Sequence, residues 1–270
     1  MPLRLLIFAA LFIFVSSAIA QDQFEDGKPV AFPGRPTISN PAYIPAPGYL
    51  QFEQGVQITA GAPGVDTQIG INQSTKIALN HRLLVVSQWQ PITRTVTTGA
   101  SETDQGDFAL GAQLLITKNH PEGSYKPTLA VGYQRTVHAG TAPDFDAAGN
   151  RNSVVLFASG KLGPLDYDAN FLFNEQVNGP DVRRLQTGQA IAFSKDITRK
   201  LSGSGEIWHF TQPFDHDHAV GTLWALNYTA KPNLVFDAGI SRGLTHNSAH
   251  WYGFFGCTYL LPHALWHRRQ

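Results

Sequence analysis

From Tyr49 onward, large apolar and polar side chains alternate in segment after segment. In LDYDANFLFN, residues 165–174, Leu165, Tyr167, Phe171 and Phe173 share one parity, while Asp166, Asp168, Asn170 and Asn174 share the other. A period of two means extended chain, because successive strand side chains leave on opposite faces. YLQFEQGVQIT sets Leu50, Phe52, Val56 and Ile58 against Gln51, Glu53, Gly55 and Gln57. TQIGINQSTKIALN sets Ile69, Ile71, Ile77 and Leu79 against Gly70, Asn72, Ser74 and Lys76, and LVFDAGISRG repeats the arrangement. Two segments, LLVVSQWQ and WYGFFGCTY, carry bulk on both faces.

The pattern predicts about twelve strands, over residues 49–60, 67–80, 83–96, 106–118, 126–139, 151–163, 165–178, 183–197, 201–213, 218–230, 234–245 and 249–260. At ten to fourteen residues they exceed the usual globular strand of about five or six and match a tilted bilayer crossing. Short connections at 80–82, 119–125, 163–164, 198–200 and 231–233 alternate with longer or more polar ones at 61–66, 97–105, 140–150, 179–182 and 214–217. Outer-membrane barrels show this asymmetry, with tight periplasmic turns and longer external loops. The expected fold is therefore all-β, a membrane-spanning antiparallel up-and-down barrel over residues 49–262. Its apolar stripes would face lipid, and an even strand number would place both termini in the periplasm. Tyr49, Trp89, Trp208, Trp251 and Tyr259 are expected to form interfacial girdles.

Composition fits this reading. Twenty Lys plus Arg balance twenty Asp plus Glu, which leaves no basic surface for nucleic acid. A slightly negative mean hydropathy argues against membrane helices but not against strands that expose alternate residues to lipid. MPLRLLIFAALFIFVSSAIA reads as a signal peptide, residues 1–20, with an Ala-Ile-Ala cleavage site. Residues 21–48 carry prolines at 29, 33, 36, 41, 45 and 47, a density that removes ladder donors. That stretch is either a periplasmic tail or a plug in the barrel mouth. Residues 263–270 form a C-terminal periplasmic tail. Cys257 is the only cysteine, which excludes an internal disulfide.

The lumen-lining candidates are Glu53, Lys76, Asp107, Lys161, Asp166, Asp168, Asn170, Glu206 and Asp237. As a pore lining they have an acidic bias that mildly favours cations or hydrogen-bonding solutes; as paired charges they would fill or constrict the lumen. Asp215-His216-Asp217-His218 gives two weak metal-ligand candidates, His216 and His218, so the expectation is no metal and no cofactor. His246 and Ser248 have the spacing of a base and nucleophile on one strand face, the alternative of a lipid hydrolase. Gly203-Ser204-Gly205 lies inside a strand rather than at a strand-to-helix elbow, and the sequence carries no phosphate loop or dinucleotide fingerprint.

GDFALGAQLL (106–115), PTLAVGY (127–133) and WYGFFGCTYLLP (251–262) resemble the outer-membrane transporters associated with the MetA pathway of phenol degradation. The resemblance extends loosely over the mature barrel. It implies a non-enzymatic channel for passive uptake of small, hydrophobic or aromatic molecules. Its partners would be outer-membrane lipid, the solute and the barrel assembly machinery, which would read Tyr259 or Trp266 in place of a terminal aromatic. The third reading is a non-conducting barrel that displays surface loops.

Overall fold

The computed structural model describes residues 23–25, 28–118, 126–143, 150–178 and 182–266. The signal segment, the whole 119–125 connection, the tips of the 140–150 and 179–182 loops and residues 267–270 of the C-terminal tail lie outside these residues. Phe24–Glu25 (β1) and Lys28–Pro29 (β2) form a small separate hairpin. The barrel begins with Leu50–Ala62 (β3), Val65–Ala78 (β4) and Leu83–Thr97 (β5). Ala100–Asp104 (β6), Phe108–Thr117 (β7), Thr128–His138 (β8), Asn150–Leu162 (β9) and Leu165–Asn178 (β10) follow. Val182–Asp196 (β11), Leu201–Gln212 (β12), Asp217–Lys231 (β13), Leu234–Gly243 (β14) and Trp251–Leu260 (β15) complete it.

Every pairing is antiparallel between neighbours, and β3 pairs with β15 to close the sheet. Strand β5 pairs with β7 over Leu83–Trp89 and with β6 over Thr93–Thr97, so β6 and β7 together occupy one wall position. The result is a closed, twelve-strand antiparallel barrel. Closure gives every barrel strand except the short β6 a partner on both sides, which is what lets backbone polar groups sit in hydrocarbon.

The exterior carries the apolar parity. Leu226, Trp224, Ile207 and Phe255 are each at least half exposed, and Phe171 and Phe173 contact one another outside at 4.8 Å between ring centroids. On the other parity Asn170, Asn174, Glu206 and Asp237 are buried. Exposed apolar and buried polar residues in regular alternation are the pattern of a barrel in lipid, the reverse of a soluble sandwich.

Two expected loops are turns instead. Residues 61–66 reduce to Pro63-Gly64, with Gly64 at a φ of 74° that a β-carbon would disfavour. Residues 97–105 become the β5–β6 hairpin, turning at Thr98-Gly99 with Gly99 at φ 87°. The girdle expectation also needs correction. Trp89, Trp251 and Tyr259 are exposed, but Trp208 is 1% exposed and faces the lumen, and Tyr49 packs against Ala31, Val235 and Leu260. Trp208 has the parity of Glu206, and so does Phe210. Glycine at 221 and 188 makes room for these rings: a β-carbon on Gly221 would lie 2.2 Å from Trp208 and one on Gly188 2.3 Å from Phe210.

One irregularity shapes the wall. The β4–β5 register passes from Ile71↔Ile92 to Gln73↔Trp89, so Asn72 opposes both Gln90 and Pro91. Proline has no amide hydrogen to give the ladder, and a bulge is where a strand tolerates it.

Candidate functional site in the lumen

Residues 30–48 run inside the barrel. They enter at the end that holds the 163–164 and 232–233 turns, where Ala31 N donates to Pro232 O (2.9 Å), and return there, where Gly48 N donates to Ala78 O (2.8 Å). Between these points the segment climbs to the level of Glu206 and descends again.

Its proline content explains how it is held. Prolines at 33, 36, 41, 45 and 47 keep it from joining a sheet, so its remaining amides need other acceptors. The wall side chains supply them. Phe32 N donates to Gln51 Oε1 (2.9 Å) and Gly34 N to Glu53 Oε1 (3.0 Å). Ile38 N donates to Glu206 Oε2 (2.9 Å), while Ser39 N and Ser39 Oγ both donate to Glu206 Oε1 (2.6 Å each). Asn40 N donates to Asn170 Oδ1 (2.7 Å), and Asn170 Nδ2 returns a bond to Asn40 O (2.8 Å). Ala42 N donates to Ser159 Oγ (2.7 Å), whose own hydroxyl donates to Asp168 Oδ1 (2.5 Å). Ile38 packs against the Trp208, Phe210, Ala190 and Ala219 cluster.

One charged side chain of the segment is anchored as an ion pair. Arg35 lies 3.4 Å from Asp237, whose side chain is almost wholly buried. Gly55 and Gly256 leave the space it fills, since a β-carbon on either would meet the guanidinium at 2.1 or 3.0 Å. Burial holds the Tyr43 phenol above its ordinary pKa, so this ring enters the packing as a neutral group.

The nine lumen candidates therefore separate. Glu53, Asn170, Glu206 and Asp237 bind the N-terminal segment directly, Asp168 does so through Ser159, and Lys76 is consumed by Glu53 at 2.7 Å. Lys161 and Asp166 pair at 3.3 Å in the turn-side mouth, partly exposed. Asp107 accepts from Gly140 N (2.8 Å) and borders open lumen. The acidic bias read from the sequence is thus largely spent on the protein's own N-terminal segment and on internal ion pairs. What sequence reasoning missed were Gln51, Ser159 and Arg35, each hidden by resembling an ordinary alternate polar residue or a linker charge.

Open space remains beside the segment. A cavity of about 250 Å³ lies between Ile38, Pro41 and Tyr43 of the segment and Leu84, Val86, Val155, Phe157 and Leu172 of the wall. A second, of about 400 Å³, lies nearer the loop end among Asn72, Ser74, Gln88, Gln90, Asp107 and Thr136. Both are lined by Asn40, Lys76, Gln88 and Gln134, so they adjoin. Together they form a crescent along β4, β5, β7 and β8, extending to β9 and β10 at its deeper end.

The other candidate constellations do not assemble. His216 sits in the turn at φ 56°, 3.4 Å from Arg184, whereas His218 stacks on His209 with a 2.8 Å contact between ring nitrogens. Among the described residues no group of three metal-ligating side chains forms. Ser248 is fully buried, its hydroxyl 2.8 Å from Thr245 Oγ1 and 3.2 Å from Val220 O, while His246 reaches Asp217 at 3.2 Å.

No protein-family model and no curated protein matches the chain, so the likeness to the MetA-pathway transporters goes no further than its three short motifs. Solved structures do match. The NanC porin superposes with a TM-score of 0.53 at 9% identity, covering 78% of this chain and all of that one. The KdgM porin superposes at 0.50 and 10% identity, covering 77% and 98%. At such identities the likeness concerns architecture alone, and with the apolar exterior it gives the conclusion: this chain has the fold of the small porins of the bacterial outer membrane.

Proposed function

We propose that the protein is a passive channel for small molecules, whose route follows the crescent between the N-terminal segment and the β4–β8 wall. One observation carries this reading: the segment is bonded mainly to β3, β9, β10, β12 and β14, with Gln113 of β7 also donating to Ala42 O, and open space remains beside it along β4, β5, β7 and β8. Charges along the crescent are mostly cancelled, because Lys76 and Arg35 are each paired. An uncharged solute would avoid the cost of leaving water that an ion would meet in so narrow a passage. The apolar stretch from Leu84 to Phe157 suits hydrophobic or aromatic molecules, the class that the MetA-pathway motifs also suggest.

Liposome swelling tests the proposal. Vesicles containing the purified barrel should take up small neutral solutes faster than charged solutes of equal size. Equal exclusion of all of them would support the non-conducting scaffold instead.

A further inference from the structure

The geometry points to a two-part binding station in the crescent, for a neutral solute that has a hydroxylated end and an apolar body. This deepens the channel reading and rests on it. The two cavities differ in chemistry along one route. Nearer the loop end, side chains of Asn72, Ser74, Gln88 and Gln90 offer amides and hydroxyls. Deeper, Leu84, Val155, Phe157 and Leu172 face Ile38 and Tyr43. Gly132 leaves the room that the Phe157 ring occupies, since a β-carbon there would come within 2.9 Å of it.

A second observation marks the polar part. Of seven buried side-chain oxygens without a hydrogen-bond partner among the described residues, Asn72 Oδ1 and Ser74 Oγ are the two whose residues line these cavities, although Asn72 Nδ2 donates to Gln57 Oε1 at 3.0 Å. Unpaired buried polar atoms are costly, and most native ones are satisfied by protein, water or ligand. Here two lie two residues apart on one face of β4, at the bulge opposite Pro91 that breaks the regular ladder. Asn72 Oδ1 is an acceptor and Ser74 Oγ can both give and take, which matches hydroxyl groups. A carboxylate would find Lys76 and Arg35 already paired and Asp107 repelling it. Polar groups that fix orientation beside an apolar body are the usual makeup of a small-molecule site.

Phenyl glucoside is a suitable probe, with glucose, benzyl alcohol and phenyl glucuronide as partial or charged controls. Binding is measured by equilibrium dialysis on the full chain in a zwitterionic detergent, and blockade of the ion current is measured in planar bilayers. Phenyl glucoside should bind about tenfold more tightly than either half-molecule and than the glucuronide, with saturable current block. The N72A/S74A double variant should lower its affinity about tenfold, while the V155A variant should weaken benzyl alcohol as well. If current flows but phenyl glucoside binds no better than glucose, the station is refuted and the channel stands. If the station binds as expected and no current flows, the channel reading fails and the site survives. Loss of affinity in N72A/S74A equal for all four probes would also refute the two-part assignment.

Discussion

The two sides of the lumen are built on opposite principles. On the β3, β10, β12 and β14 side the buried carboxylates meet a partner from the protein's own N-terminus: Glu206 takes three hydrogen bonds from Ile38 and Ser39, and Asp237 takes Arg35, although Ser204 Oγ on β12 has no partner. On the β4, β5, β7 and β8 side Gln113 still donates to Ala42 O, but Gln88, Gln90 and Asp107 border open space, and Asn72 and Ser74 each keep a buried oxygen unpaired. Buried polar groups are expensive to strand, so the first side is fixed by satisfaction and the second is left receptive. A barrel of intermediate size can thus be both filled and passable.

Both sides depend on the exterior, and the largest expected effect lies there. Leu226→Arg, on the lipid face, should destabilise the barrel by about 2–4 kcal/mol in urea unfolding from lipid vesicles if it lies near the bilayer midplane. A change to Arg at Leu244, in the loop beyond β14, should cost far less. Next comes the acceptor side. Glu206→Ala strands three donors and should loosen the N-terminal segment by about 2–3 kcal/mol, seen as faster hydrogen exchange over residues 31–46 with little change in barrel unfolding. Glu206→Gln keeps one acceptor oxygen and should lose less. No cation pairs with Glu206 among the described residues, so the effect should be nearly independent of salt.

Gly221→Ala should cost about 1–3 kcal/mol, because its methyl must displace the Trp208 ring. On the receptive side, Ser74→Ala should change stability by less than about 0.5 kcal/mol, since Ser74 Oγ has no bond to lose. A cost for Ser74→Ala as large as that for Glu206→Ala would erase the distinction between the two walls.

The barrel was legible because its signal is local: alternation over LDYDANFLFN or TQIGINQSTKIALN marks a strand and its two faces without any knowledge of neighbours. The turns at Pro63-Gly64 and Thr98-Gly99 were not, because polar residues on both sides of a tight hairpin look like a longer loop. Trp208 and Phe210 were misplaced by residue type, although their parity with Glu206 put them inside. The N-terminal segment's position could not be read, since its prolines say only that it avoids a sheet. Which acceptors bind its amides is a matter of residues up to about 200 positions apart, as with Ala31 and Pro232. The crescent is a by-product of that asymmetry, and no single stretch of sequence encodes it.

The most direct test is single-channel recording of the mature chain beside a variant lacking residues 31–46. A small, steady conductance in the intact barrel that rises several-fold in the shortened one is the predicted result. Identical conductance in both, or none in either, would contradict a lumen half closed by its own N-terminus.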